Sequence, residues 1–138
     1  MKTSIYLFLI FTQLSYCQSI IGKWKTIDDS TGKEKSIVEI YEKSGKYFGR
    51  ITHLYDVASQ NKKCDKCEGE NKNKPIIGLV IIKNMIKDGV VFSGGTITDP
   101  SNGKVYSCKF ENIKNDKITV RGFIGFSLFG RSQTWIRL

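Results

Sequence analysis

After its first twenty or so residues the chain alternates between apolar and polar positions in short runs, cut by turn residues about every eight to twelve positions. Helix-period stretches are scarce. This pattern predicts an antiparallel sandwich or barrel. Strands are predicted at Ile21–Ile27, Ser36–Glu42, Lys46–Leu54, Ile76–Lys83, Val90–Thr98, Lys104–Ile113, Lys117–Phe123 and Gly130–Leu138. In "DKITVRGFIG" the residues Ile118, Val120, Gly122 and Ile124 share a face opposite Lys117, Thr119 and Arg121. In "KVYSCKF" the inward set is Tyr106, Cys108 and Phe110. Each strand therefore buries one side and wets the other. About eight such strands in succession predict an all-β fold, a single up-and-down antiparallel β-barrel, because closure leaves no exposed edge.

The connections sort by their turn chemistry. "DDSTGKE" and "EKSGK" join the first three strands as hairpins, with Gly32 and Gly45 taking positive φ, and "KNDK" joins the sixth to the seventh. One connection stands apart. Asp56 to Lys74, "DVASQNKKCDKCEGENKNK", is long and polar, and loops of this length in a small domain are usually functional or poorly ordered.

The stretch "FSGGTITDPSNGKVYSCKF", Phe92 to Phe110, has the glycines and polar residues of an ion-binding loop without its context. A phosphate loop needs its glycines between a strand and a helix, and no helical run follows. A calcium loop needs more oxygen ligands and a closing Glu. Asp99 to Gly103 reads instead as a type I turn with Pro100 at its second position and Gly103 left-handed. Gly94-Gly95 reads as a bulge or bend where the barrel curves.

The first residues, "MKTSIYLFLIFTQLSYCQS", carry a positive start, a short apolar run and small residues at Ser15 and Cys17. They predict a signal peptide over residues 1–17 and a barrel domain over 18–138, exported to the periplasm or the exterior. A rival reading makes "LSYC" a lipobox with Cys17 lipidated, against which stands the bulk of Tyr16. No later run is long and apolar enough for a transmembrane helix. The formal net charge is +9. Nucleic acid is not an expected partner of an exported protein. Envelope surfaces, lipid headgroups and acidic small molecules suit the charge better, although scattered lysines also make an ordinary solvated surface.

Without Cys17 three cysteines remain, Cys64, Cys67 and Cys108, in an oxidising compartment. A disulfide fastening the long loop is expected, within the Cys64-x-x-Cys67 pair or from it to Cys108. Thiol redox chemistry would need the pair at a helix N-terminus, which the sequence lacks. No metal and no cofactor is expected; the alternative is zinc held by His53, Cys64, Cys67 and Cys108, if they converge. His53 is the only histidine, no nucleophile elbow accompanies it, and no paired carboxylates stand out. No catalytic residues are assigned, and the protein is not expected to be an enzyme. Aromatic and basic residues interleave along the strands, and Arg50, Tyr106 and Arg121 are candidates for contact with a small ligand. On the last strand Arg131, Gln133, Trp135 and Arg137 share one face.

"GKW" at residues 22–24 and the arginines of "GRSQTWIRL" together resemble the lipocalin-type, or calycin, arrangement. In those barrels an early tryptophan closes one end and an arginine of the final strand packs across it. The resemblance makes Gly22, Trp24, Arg131 and Arg137 the barrel-closing residues. The blocks "GKWKT", "YFGRI", "KPIIGLVII", "FSGGTITDPSNGKVYSCK" and "VRGFIGFSLFGRSQTW" resemble, in order, an uncharacterised secreted bacterial family, domain of unknown function 2147. The Cys-x-x-Cys loop resembles that of only some members. The resemblance implies an exported lipocalin- or fatty-acid-binding-protein-like barrel with no established catalysis or ligand. The expected function is binding of a small amphiphilic or lipid-like molecule in the envelope. The alternative is an interaction or envelope-structural module with a packed barrel.

Overall fold

The computed structural model describes residues 19–126 and 128–138, so the segment read as a signal peptide, with Cys17, lies outside the described residues. Within them the chain forms β1 (Gly22–Ile27), β2 (Glu34–Lys43), β3 (Lys46–Leu54), β4 (Val80–Asp88), β5 (Val91–Thr98), β6 (Val105–Lys114), β7 (Lys117–Phe123) and β8 (Gly130–Arg137). These close into one barrel in sequence order, every neighbour antiparallel. The seam pairs Trp24 with Arg137, Lys25 with Ile136 and Thr26 with Trp135. Two short 3-10 turns, Val57–Ser59 and Gly69–Asn71, lie in the long β3–β4 connection. No helix among the described residues is long and apolar enough to cross a membrane.

The fourth strand differs from its predicted span, Ile76–Lys83. Ile76 to Leu79 form a turn instead: the Leu79 amide donates to the Ile76 carbonyl at 3.1 Å, and Gly78 has φ +96°. The apolar run "IIGLVII" concealed this break. The strand then continues to Asp88 through Asn84, at φ +60°, a kink that lets both Ile82 and Met85 face the interior.

Turn chemistry sets the register elsewhere. Ser44 and Gly45 (φ 53° and 76°) and Asn115 and Asp116 (φ 52° and 57°) have the paired positive φ of two-residue type I′ hairpins. Gly94, at φ +76°, lies within a register shift between Phe92 and Gly95, which is the predicted bulge. At the opposite end of the barrel two turns repeat one design, Asp-x-Ser-x-Gly-Lys. In each the Asp carboxylate (Asp28 or Asp99) accepts from the amide and hydroxyl of the Ser two residues on (Ser30 or Ser101). In each, too, the left-handed Gly (Gly32 or Gly103) donates its amide to the Asp carbonyl. These bonds hold the Asp28 carboxyl well below the usual carboxylate range, the Ser30 hydroxyl first among them.

The two ends of the barrel are not equivalent. One is closed: Trp24 is fully buried, its Nε1 donates to the Ile20 carbonyl at 2.8 Å, and the Arg137 guanidinium lies 4.3 Å from its ring centroid. Arg137 also donates to the carbonyls of Ile21, at 3.2 Å, and Ser19, and pairs with Asp116. Above this plug Tyr47, Phe92, Phe110 and Trp135 form a chain of ring contacts across the interior, at centroid distances of 5.1, 6.2 and 6.4 Å. Val38, Ile40, Ile82, Met85 and Ile118 fill the space between. Replacing Arg137 with Leu keeps the apolar cover but removes the cation–π contact and the bonds to both carbonyls. Urea unfolding should then show a loss of about 1–3 kcal/mol; an unchanged midpoint would show that the tryptophan closes the barrel unaided.

Candidate ligand cavity

The other half of the barrel is hollow. The β1–β2 turn, the long β3–β4 connection, the β5–β6 turn and the β7–β8 loop surround its mouth, and beneath them lies a cavity of about 810 Å³. Trp135, which touches Phe110 below, lines the cavity and forms part of its floor. Ile51, Leu54, Ile81, Ile97, Val120 and Phe123 supply an apolar wall from β3 to β7. The strands β8, β1 and β2 supply a polar one. Thr26 and Ser36 share a hydrogen bond of 2.8 Å between their hydroxyls, and the Ser36 amide donates to the same Thr26 oxygen. Gln133 accepts from Trp135 Nε1 at 3.3 Å. An indole donates only, so the amide oxygen of Gln133 must face it and the NH2 group is left for the cavity.

The rim is charged. Lys35, Lys62, Lys63, Lys66 and Arg131 line it, against Asp56, Asp65 and Asp99. Arg131 is held by Asp29 through a two-bond fork, and the guanidinium keeps the Asp29 carboxyl below its usual range. Arg131 is largely exposed and Asp29 partly so, and the pair orients Arg131 more than it stabilises the fold.

The long connection is ordered by its own bonds. Cys64 and Cys67 are joined as a disulfide and fully buried. The Cys64 amide donates to Lys74, Asn73 donates back to Cys64, and Ile76 donates to Lys62. Glu70 pairs with Lys83 on the barrel wall at 2.7 Å. The disulfide loop rests on the Asp99–Gly103 turn. A Cβ on Gly103 would lie 1.9 Å from the Lys66 carbonyl oxygen, whereas one on Gly32 would meet nothing within 4 Å.

Of the residues singled out as ligand contacts, Tyr106 lines the cavity, its hydroxyl 3.2 Å from the Asn102 amide. Arg50 does not. It is on the outer wall, bonded to Glu39 at 2.7 Å and lying over Tyr41. Arg121 also faces away from the cavity lining and donates to Ser132. Strand alternation explains both: their neighbours Gly49, Ile51, Val120 and Gly122 take the inward positions. The closing group consists of Gly22, Trp24 and Arg137, whereas Arg131 stands at the far end of β8, with Asp29. The zinc set does not assemble. His53 packs edge-on against Tyr55, Cys64 and Cys67 are bonded to each other, and no cluster of three possible ligands occurs among the described residues. Cys108 is a free thiol buried between Gly95 and Gly122 on the adjacent strands. Gln133 and Trp135 were already on one face by alternation. Thr26 and Ser36 were missed although alternation carries them, Thr26 lying two residues from Trp24 and Ser36 two from Val38 on the inward faces.

A protein-family model described as an uncharacterized protein conserved in bacteria, DUF2147, matches residues 22–137. The chain belongs to this family. Among curated proteins none matches. Of the solved structures, the DUF2147 chain is similar to protein HP1028 of Helicobacter pylori, described as belonging to the lipocalin family. The TM-score is 0.77 at 24% identity, covering 87% of this chain and 83% of the other. That likeness agrees with the lipocalin-like barrel and extends to the fold alone.

The paired turns give an internally controlled test. Gly103→Ala should lose more stability than Gly32→Ala, by about 1–3 kcal/mol in urea titration, since both strain a left-handed residue and only the first strikes the disulfide loop. Equal losses would separate that loop from the turn. Cys108 gives a second test, because burial pushes its thiol from 9.0 up to about 12. Above pH 9.0 the unfolded chain releases this proton and the folded chain retains it, so this thiol's contribution to stability falls as the pH rises. Cys108→Ala should flatten the decline between neutral pH and pH 10 or so relative to the parent. In the folded parent a thiol reagent followed by peptide mapping should leave Cys108 unmodified.

Proposed function

We propose that this DUF2147 protein is an exported binding protein that holds a small amphiphilic molecule in the open half of its barrel. The observation that carries this is the hollow mouth above a packed floor. Its volume, about 810 Å³, falls within the range of small-ligand sites. An apolar body fits against the wall formed by Ile51, Ile97 and Val120. A carbonyl or carboxylate group fits the Gln133 NH2 and the lysines of the rim, which offer donors and positive charge. The lipocalin-like barrel is an architecture able to enclose one small ligand, which supports a binding reading. The buried Cys64–Cys67 bond suits an oxidising compartment, and with it the export predicted from the first residues. A barrel acting only as an interaction module would have no need of the space.

Native mass spectrometry of protein purified from its own envelope should reveal a bound amphiphile, and a fluorescent fatty acid should titrate into the emptied protein. Ile97→Trp fills the cavity from its wall and should weaken that titration by about tenfold or more, equivalent to 1.4 kcal/mol, with the circular dichroism unchanged. A bare mass together with no titration of the emptied protein would sink the proposal.

A further inference from the structure

The β7–β8 loop is the least expected surface of the molecule. From Gly122 to Gly130 the sequence reads "GFIGFSLFG", without one charged residue. Ile124, Phe126, Leu128 and Phe129 are 63, 80, 85 and 72% exposed. Exposed apolar residues are ordinary singly, but four bulky ones on one loop mark a contact surface. The loop is tied at its base. Ile124 donates to the Phe129 carbonyl at 3.2 Å and Phe129 to the Phe126 carbonyl at 3.1 Å. Gly130 is pressed so closely on β7 that a Cβ there would lie 2.5 Å from the Gly122 oxygen. The backbone at the loop's neck is thus partly satisfied internally, a condition for entering an apolar medium.

We infer that this loop inserts into the surface of a lipid bilayer bearing anionic headgroups, bringing the mouth of the barrel down onto the membrane. Three features favour a bilayer over another protein. Four side chains on one loop, even fully covered, offer less contact than the ~800 Å² per partner of a stable dimer. Ile124 and Phe129 also line the cavity, so the apolar tip is continuous with its entrance. Lys35, Lys62, Lys63 and Lys66 line the same mouth, and with Arg131 these cations outnumber the rim carboxylates Asp56, Asp65 and Asp99. Apolar insertion beside lysines within reach of headgroups is the usual physics of reversible interfacial binding. The inference stands on the loop and the rim, whether or not the cavity is loaded.

The test is sedimentation of the protein with vesicles of phosphatidylcholine, with and without phosphatidylglycerol, at low and high salt. The parent should sediment with the anionic vesicles, less so as salt rises. Phe126→Ser combined with Leu128→Ser, two exposed positions that leave the core untouched, should lower the vesicle partition coefficient at least tenfold, about 1.4 kcal/mol. Ile97→Trp should bind vesicles like the parent, which separates this result from the cavity reading. Failure of the parent to sediment, or equal sedimentation of the double variant, overturns the inference. So does a lipid-free parent that is dimeric in analytical ultracentrifugation and becomes monomeric in the double variant, because a second copy would then occupy the loop.

Discussion

Everything else depends on the seam where β8 returns to β1. It joins only three residue pairs, Trp24–Arg137, Lys25–Ile136 and Thr26–Trp135. One end of this short ladder is reinforced by Arg137 lying over the Trp24 ring and bonding the carbonyls that lead into β1. A sheet of this length left open would expose two edges and an apolar face. Closed and plugged at one end by large rings, the same sheet can leave its other half unfilled, because the packed half supplies the cohesion. The cavity is therefore a consequence of unequal distribution of bulk: Trp24, Phe92, Phe110 and Met85 lie low, and Thr26, Ser36, Ile97 and Gly122 lie high.

The architecture was legible because its signals are local. Alternation in Lys117–Phe123 and paired positive-φ residues at Ser44-Gly45 and Asn115-Asp116 each fix one strand or one turn without reference to the rest. The fourth strand was misjudged where that locality fails. "IIGLVII" is apolar throughout, and its first residues turn under the bond from the Leu79 amide to Ile76, held in place by the tertiary bond from the Gly78 amide to Ile51. The site was legible only in fragments. Tyr106, Gln133 and Trp135 follow from alternation, and so do Thr26 beside Trp24 and Ser36 beside Val38, but whether the space they face is filled or empty depends on strands far away in sequence. Arg131 and Arg137 share a face, yet six residues of extended chain carry them to opposite ends of the barrel, on the order of 20 Å apart.

The two Asp-x-Ser-x-Gly-Lys turns show how one local solution serves different ends. Both reverse the chain by the same carboxylate and glycine geometry. Only the Asp99–Gly103 turn carries a load, because the disulfide-tied loop lies directly on the bare Cα of Gly103. A stretch that resembles an ion-binding loop is in fact a seat for the neighbouring connection. Its composition reflects close approach of two backbones rather than capture of a ligand.

The position of Ser19 has a further consequence. It accepts from Arg137 at the plugged end, so the chain enters the barrel at the pole opposite the apolar loop. Anything that tethered the protein through that terminus would hold it by its base and turn the mouth outward. A protein grafted in this way to one surface would reach toward whatever faced it, and its two poles could engage the same surface only if the barrel lay on its side.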